Sequence, residues 1–230
     1  MPGDSNHWVF AADCVWMPWE FPESVCETLG VGSKAEVQRC PWALSAPDYI
    51  ECHDTEWGVP IAGDVAYFER LTYEAFQSGL SWLVIMRKRP AFRRAFAQFD
   101  PVKVARFGDK QVRALLENPD IVRNRQKIEA TITNARALVS LWESVGEGAL
   151  EQLMHAHQPT ESELRREGYR RPPRELADLP TQTQASRSLA KALKARGFVF
   201  VGPTTLYAGM QANGIVNDHL KGCFRRNSTM

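Results

Sequence analysis

Little in this chain of 230 residues marks it for export or for a membrane. It has no long uncharged apolar run and no leader built like a signal peptide, so a cytoplasmic protein is expected. Cysteine is sparse, with five residues, an odd number without a paired framework, which argues against disulfides and for reduced thiols. Strand signals are missing too: no two alternating runs are joined by hairpin turn chemistry. There are no internal repeats. The net charge of +1 excludes nothing by itself.

What remains is one soluble globular unit, 44% hydrophobic, with material for a sizeable core. Its charge is unevenly distributed: residues 1–86 hold 3 Lys/Arg against 13 Asp/Glu, whereas residues 181–230 hold 7 against Asp218 alone. A basic C-terminal end suits a phosphate partner as well as it suits a plain solvated face. Residues 1–39, with Trp8, Trp16 and Trp19 among Gly, Pro, Ser and acidic residues, lack a sustained period and read as a poorly ordered extension. From Asp64 onward the pattern is helical: Tyr67, Phe68, Leu71 and Ala75 share a face, and residues 123–145 form the longest core helix through Ile128, Ile132, Ala135, Leu138 and Trp142. Pro90 and Pro101 each suit a first helical turn. Residues 160–179, polar and proline-broken, read as a loop insertion, and residues 225–230 as a tail. The expected fold class is all-α, its main domain spanning residues 40–224.

Two pairs of soft donors flank that domain, Cys40 with His53 and His219 with Cys223. Cys₂His₂ closes a structural zinc tetrahedron, and His219 and Cys223, spaced i and i+4, would face one way on a helix. One zinc ion would then close a loop of 165 intervening residues. The spacing is not that of a finger, and four unrelated residues are the plain alternative.

Residues 186–213 carry a docking element: a basic helix with Leu189 and Leu193 inward, a stop at Gly197, then Phe198-Val199-Phe200-Val201-Gly202-Pro203 leading into a second helix. Phe198 and Phe200 are expected to anchor the turn in the core. Gly202 permits close approach, Pro203 presets the first turn, and the amides at Thr204 and Thr205 can hold a phosphate. Such a hairpin grips DNA backbone without reading bases; an ordinary packed helix pair is the other reading. A third constellation gathers Trp42, Tyr49, Trp57 and Trp82 around Glu74. Aromatic walls and a carboxylate suit a flat, cationic, flipped-out base. Each tryptophan could equally be core, and Glu74 could point at solvent.

Arg39-Cys40-Pro41-Trp42, His53 to Pro60 (HDTEWGVP), Gln77 to Trp82 (QSGLSW) and Val216-Asn217-Asp218-His219 with Gly222-Cys223 together resemble DNA-3-methyladenine glycosylase I, in order, over residues 39–224. The resemblance implies the helix-hairpin-helix glycosylase fold, with Cys40, His53, His219 and Cys223 as ligands of one structural zinc that joins the ends of the domain. It implies a monomer acting on double-stranded alkylated DNA, flipping out 3-methyladenine and hydrolysing its N-glycosidic bond. Glu74 matches the family's base-contacting glutamate, Trp42, Tyr49 and Trp82 its stacking walls, and Trp57 a structural position beside the zinc. Leu80 would be the wedge filling the gap left by flipping. Cys52 departs from the family, standing where a tyrosine usually precedes the zinc histidine; it could be a filler, shift selectivity or compete for zinc. Thr204 stands where strand-cleaving relatives carry a lysine, so no Schiff base is expected and the product is an intact strand with an abasic site. Asp218 lies near an aspartate that many superfamily members use, but it adjoins a zinc ligand and could be a supporting or capping group. The alternative function is a catalytically weak protein that binds alkylation damage, motivated by Cys52 and the long extension.

Overall fold

The computed structural model describes residues 37–227; of the extension expected to be poorly ordered, residues 1–39, the first 36 lie outside it, as do the last three residues of the tail, whereas Arg39 is ordered by its ion pair with Asp54. Among the described residues there is no strand. Ten α-helices follow one another: α1 Pro47–Thr55, α2 Asp64–Gln77, α3 Trp82–Ala95, α4 Pro101–Ala105, α5 Asp109–Glu117, α6 Arg125–Val145, α7 Ala149–His155, α8 Glu161–Arg166, α9 Gln184–Lys194 and α10 Pro203–Ala212. No helix among them is long and apolar enough to cross a membrane.

The 21-residue helix α6 is the axis of the packing. Asn124 caps its start by accepting from the Lys127 amide at 3.1 Å, and Gly146, at φ 110°, ends it. Its Ile128, Ile132, Ala135 and Leu138 are fully or almost fully buried, and it packs against α2, α4, α5 and α7. Each of the Ile and Leu side chains contributes roughly 1.5–3 kcal/mol of apolar burial. Between α2 and α3 lies an aromatic cluster in which Phe76 meets Phe92 edge-on at 4.7 Å and Tyr73 meets Phe99 at 5.4 Å. Asp64 joins two helices: its carboxylate accepts from the Trp142 indole at 2.5 Å and from the amides of Gly148 and Glu151 at 2.9 and 2.8 Å. One acid thereby begins α2 and satisfies the first amides of α7.

Pro101 opens α4 as expected, but Pro90 lies inside α3. The chain enters that helix through extended Ser81, eight residues before the proline's neighbour Arg89, so the missing N–H falls in the helix body and forfeits one bond there. Residues 160–179 are not all loop either. Thr160 and Glu163 form a reciprocal capping box that starts α8, and a 3-10 turn follows at Leu176–Asp178. That polar capping signal outweighed the prolines, which fall after the helix. Gly214, at φ 70°, closes the far end: a Cβ there would lie 2.7 Å from the Gly58 carbonyl, so only glycine lets these two stretches meet.

Candidate active site and metal centre

Four buried side chains converge where the ends of the domain meet. Cys40 precedes the 3-10 turn Pro41–Ser45, His53 sits in the last turn of α1, and His219 and Cys223 follow α10. His219 and Cys223 are not on a helix, as their spacing suggests. They share a tight turn in which the Cys223 amide donates to the Leu220 carbonyl at 2.8 Å, and Asp218, drawn inward, keeps the segment from coiling. The Cys223 sulfur lies 3.3 Å from His53 Nε2 and 3.5 Å from His219 Nδ1, and the Cys40 sulfur 3.8 Å from His219 Nδ1. All four donor atoms lie within 4.8 Å of one another. The edges of a tetrahedron with Zn–S and Zn–N bond lengths are about 3.3–3.8 Å, so the geometry could hold a metal ion.

The surroundings prepare the same donors. His53 Nδ1–H donates to Asp54 at 2.8 Å, leaving Nε2 as a lone pair aimed at the group. Asp54 is itself held by Arg39 at 2.7–3.0 Å, which keeps its carboxyl below the usual range. Burial keeps both imidazoles neutral, with His219 pushed down to about 4, and raises the Cys40 thiol to about 12. Two buried neutral histidines and two buried cysteines, of which the Cys40 thiol is kept protonated by burial until a cation is present, are the chemistry of a soft metal site.

An aromatic shell connects this group to the start of α3. Trp42 stands edge-on to His53 and Trp57, each at 5.3 Å, and to Tyr49 at 5.9 Å, while Trp57 meets His219 at 4.7 Å. The Tyr49 hydroxyl accepts from the Leu83 amide at 3.0 Å, beside Trp82. Trp82 stands close enough to Cys52 to offset part of the rise in its thiol, and the Arg89 guanidinium lies 5.8 Å from the Trp82 ring centroid. Cys52 is 3% exposed, with its thiol raised by burial, and is not part of the four-donor group.

Glu74 does not point at solvent. It is 6% exposed on α2, and among the described residues no donor reaches its carboxyl. Burial raises it to about 8, with only a partial offset from Arg70. Arg70 is one turn away but inclines to Glu56 at 3.5 Å, and Glu56 in turn takes Arg89 at 2.5 and 3.1 Å. On the other side a Cβ at Gly209 of α10 would be 3.8 Å from Glu74 Cγ. Trp42, Tyr49, Trp57 and the four donors thus form one contiguous patch, Trp82 precedes the Leu83 amide that Tyr49 holds, and Glu74 lies in the α2–α10 contact.

Sequence reasoning missed three supporting residues. Lys127, 8% exposed, donates to the Phe76 and Ser78 carbonyls at 2.8 and 2.6 Å, gripping the end of α2 just before Gly79 and the 42% exposed Leu80. A lysine on the apolar face of α6 was the available signal. Asn134 holds both backbone groups of Val199, at 2.7 and 3.0 Å, in the turn between α9 and α10. Arg171 binds Asp218, Glu161 at 3.1 Å and the Asn217 carbonyl at 2.8 Å. With Tyr207 and Gln211 donating at 2.8 and 2.7 Å, Asp218 is held by three side chains, which makes it an anchor of the His219 turn and not a free base. In the α9–α10 turn, Gly197 at φ 86° ends α9 and Gly202-Pro203 starts α10, with Thr204 exposed beside the half-buried Thr205. Phe198 is buried as expected, but Phe200 is 40% exposed.

Comparison with known proteins locates this arrangement. The family model for methyladenine glycosylase matches residues 42–226. The DNA-3-methyladenine glycosylase 1 of Escherichia coli (strain K12) is 43% identical over 189 residues, covering 81% of this chain and 96% of that protein. A crystal structure of 3-methyladenine DNA glycosylase I superposes with a TM-score of 0.72 at 42% identity, over 81% of this chain and 98% of the other. A Staphylococcus aureus 3-methyladenine DNA glycosylase I, solved for the structural basis of 3-methyladenine recognition, superposes with the same score at 29% identity, over 82% and 96%.

Proposed function

The chain belongs to the methyladenine glycosylase family and is a DNA repair enzyme that excises 3-methyladenine, and from that premise we propose how its residues divide the task. Glu74 receives the flipped base, Trp42, Tyr49 and Trp82 wall it, Leu80 fills the gap it leaves, and Gly202, Pro203, Thr204 and Thr205 hold the backbone of the duplex. Cys40, His53, His219 and Cys223 would hold one structural zinc ion, which would tie the two ends of the domain together and take no part in the chemistry on the base.

The observation that carries this reading is the bare, buried carboxyl of Glu74. In the protein alone near neutral pH it is largely protonated. A 3-methyladenine nucleotide carries positive charge on the base, and its arrival favours the carboxylate, which then accepts from the base edge in a charge-assisted contact. Neutral adenine offers no charge to repay the desolvated carboxylate, so it is discriminated against. The bond from C1′ to N9 breaks with its electron pair leaving on the base, which departs neutral. The sugar passes through an oxocarbenium-like state, and water adds at C1′ and loses a proton. Since the lesion is already a good leaving group, flipping, selection and holding are what the protein contributes. Cys52, buried in the last turns of α1, is a compact filler in place of a larger side chain.

The test is release of free base from methylated duplex DNA, resolved by chromatography, beside Glu74→Gln. Released 3-methyladenine that depends on Glu74 and leaves an uncut abasic strand is expected. Release by the variant at the wild-type rate would remove Glu74 from the mechanism, and a cut strand would contradict the reading of Thr204.

A further inference from the structure

Phe200 breaks a backbone rule without any gain to the core. Its φ is 56°, the left-handed region that glycine enters freely and an aromatic residue does not. Strain of that kind persists only where the surroundings impose it, and it clusters at functional sites. Here the surroundings do impose it: Phe198 and Val201 are both 2% exposed on either side, and Asn134, itself 3% exposed, bonds both backbone groups of Val199. Yet the Phe200 ring is 40% exposed, so its own burial does not repay the strain. A rigid frame presents an aromatic side chain to the outside.

What surrounds that ring selects the partner. Two residues on, Gly202-Pro203 begin the ten-residue helix α10, whose Thr204 and Thr205 amides have no upstream helical carbonyl. Before it, the last turns of α9 and its end carry Lys191, Lys194 and Arg196, all exposed. Anion-holding amides, cations and one projecting aromatic side by side fit duplex DNA, where phosphates alternate with apolar deoxyribose faces. We propose that Phe200 is a DNA-contacting residue whose ring packs on a deoxyribose next to the phosphate at the start of α10, with Asn134 as its positioning residue. This inference rests on the reading of the α9–α10 turn as the DNA-docking hairpin.

Two variants separate the inference from that reading, each titrated by fluorescence anisotropy on a duplex carrying a stable abasic analogue and each melted by calorimetry. Gly202→Val tests the hairpin. Its φ is ordinary, a Cβ there meets only Thr205 Oγ1 at 4.0 Å, and the added methyls would stand where a phosphate approaches. Phe200→Gly tests the ring while suiting the left-handed backbone. We expect it to weaken binding about tenfold with an unchanged salt slope, because no charge is lost, and to melt within about 2 °C of the wild type. Wild-type affinity for Phe200→Gly, with Gly202→Val impaired, overturns the inference and spares the hairpin. Wild-type affinity for both overturns both. A fall in Tm beyond about 5 °C in Phe200→Gly makes the ring a packing group and also overturns the inference.

Discussion

Asp218 and Glu74 are buried carboxyls, 1% and 6% exposed, on segments that flank the same helix α10, and the protein treats them in opposite ways. Asp218 is met by Arg171, Tyr207 and Gln211; Glu74 is met by nothing among the described residues, and the nearby Arg70 is drawn aside by Glu56. A saturated buried carboxylate fixes the turn that carries His219. A bare one costs stability and keeps its hydrogen-bonding capacity for a ligand. The anion that anchors a turn is satisfied within the chain, and on the proposed reading the unsatisfied one is left for the substrate.

The largest expected effect lies at the saturated end. Cys40→Ala should abolish metal binding and lower Tm strongly, since a structural zinc contributes folding free energy directly; elemental analysis and calorimetry check this, and a metal-free variant that melts like the wild type would refute it. Next, Arg171→Met leaves Asp218 buried without its cation, which should cost about 3–5 kcal/mol and, in a chain of this size, lower Tm by roughly 10 °C. The base-release rate of the protein still folded should not change.

At the bare end, Glu74→Gln should slow base release by about a hundredfold or more and yet stabilise the fold. The carboxyl titrates near 4.5 when ordinary and at about 8 when folded. Between those values the unfolded chain has released a proton that the folded chain keeps. The stability of the wild type is therefore unpenalised below pH 4.5 and falls as pH rises through 8. The variant should accordingly melt higher than the wild type at pH 8 and nearly level with it at pH 4.5, and an equal shift at both would contradict the assignment. The smallest effect is expected for Lys127→Met, which frees the Phe76 and Ser78 carbonyls and loosens the Leu80 turn. It should cost about 1.5–3 kcal/mol and weaken duplex binding more than binding of a single strand, where no gap needs filling.

Helices from Asp64 onward were legible because their apolar spacing matches the face buried in the structure, and the four donors because cysteine and histidine are few and their chemistry is narrow. The turn holding His219 was not, since spacing of i and i+4 cannot tell a helix from a turn pulled in by Asp218. Residues 160–179 were misread where a capping box outranked prolines placed beyond it. Phe200 looked like Phe198 because hydrophobicity says nothing of φ. Lys127, Asn134 and Arg171 act through long-range contacts with main-chain atoms or a distant carboxylate, which leave no local pattern.

The junction of the chain's ends also decides how the molecule would bear a mechanical load. A pull on the ends of the described chain meets the Phe224–Gln38 backbone bond and the Arg39–Asp54 pair and then Cys40 and Cys223, whose side chains share one donor group. With an ion in place, tension passes from one end to the other through metal–ligand bonds and bypasses the 182 residues between them. The helices between them would stay slack until those bonds rupture, and the force at which the chain lengthens would be set by the metal and not by the core.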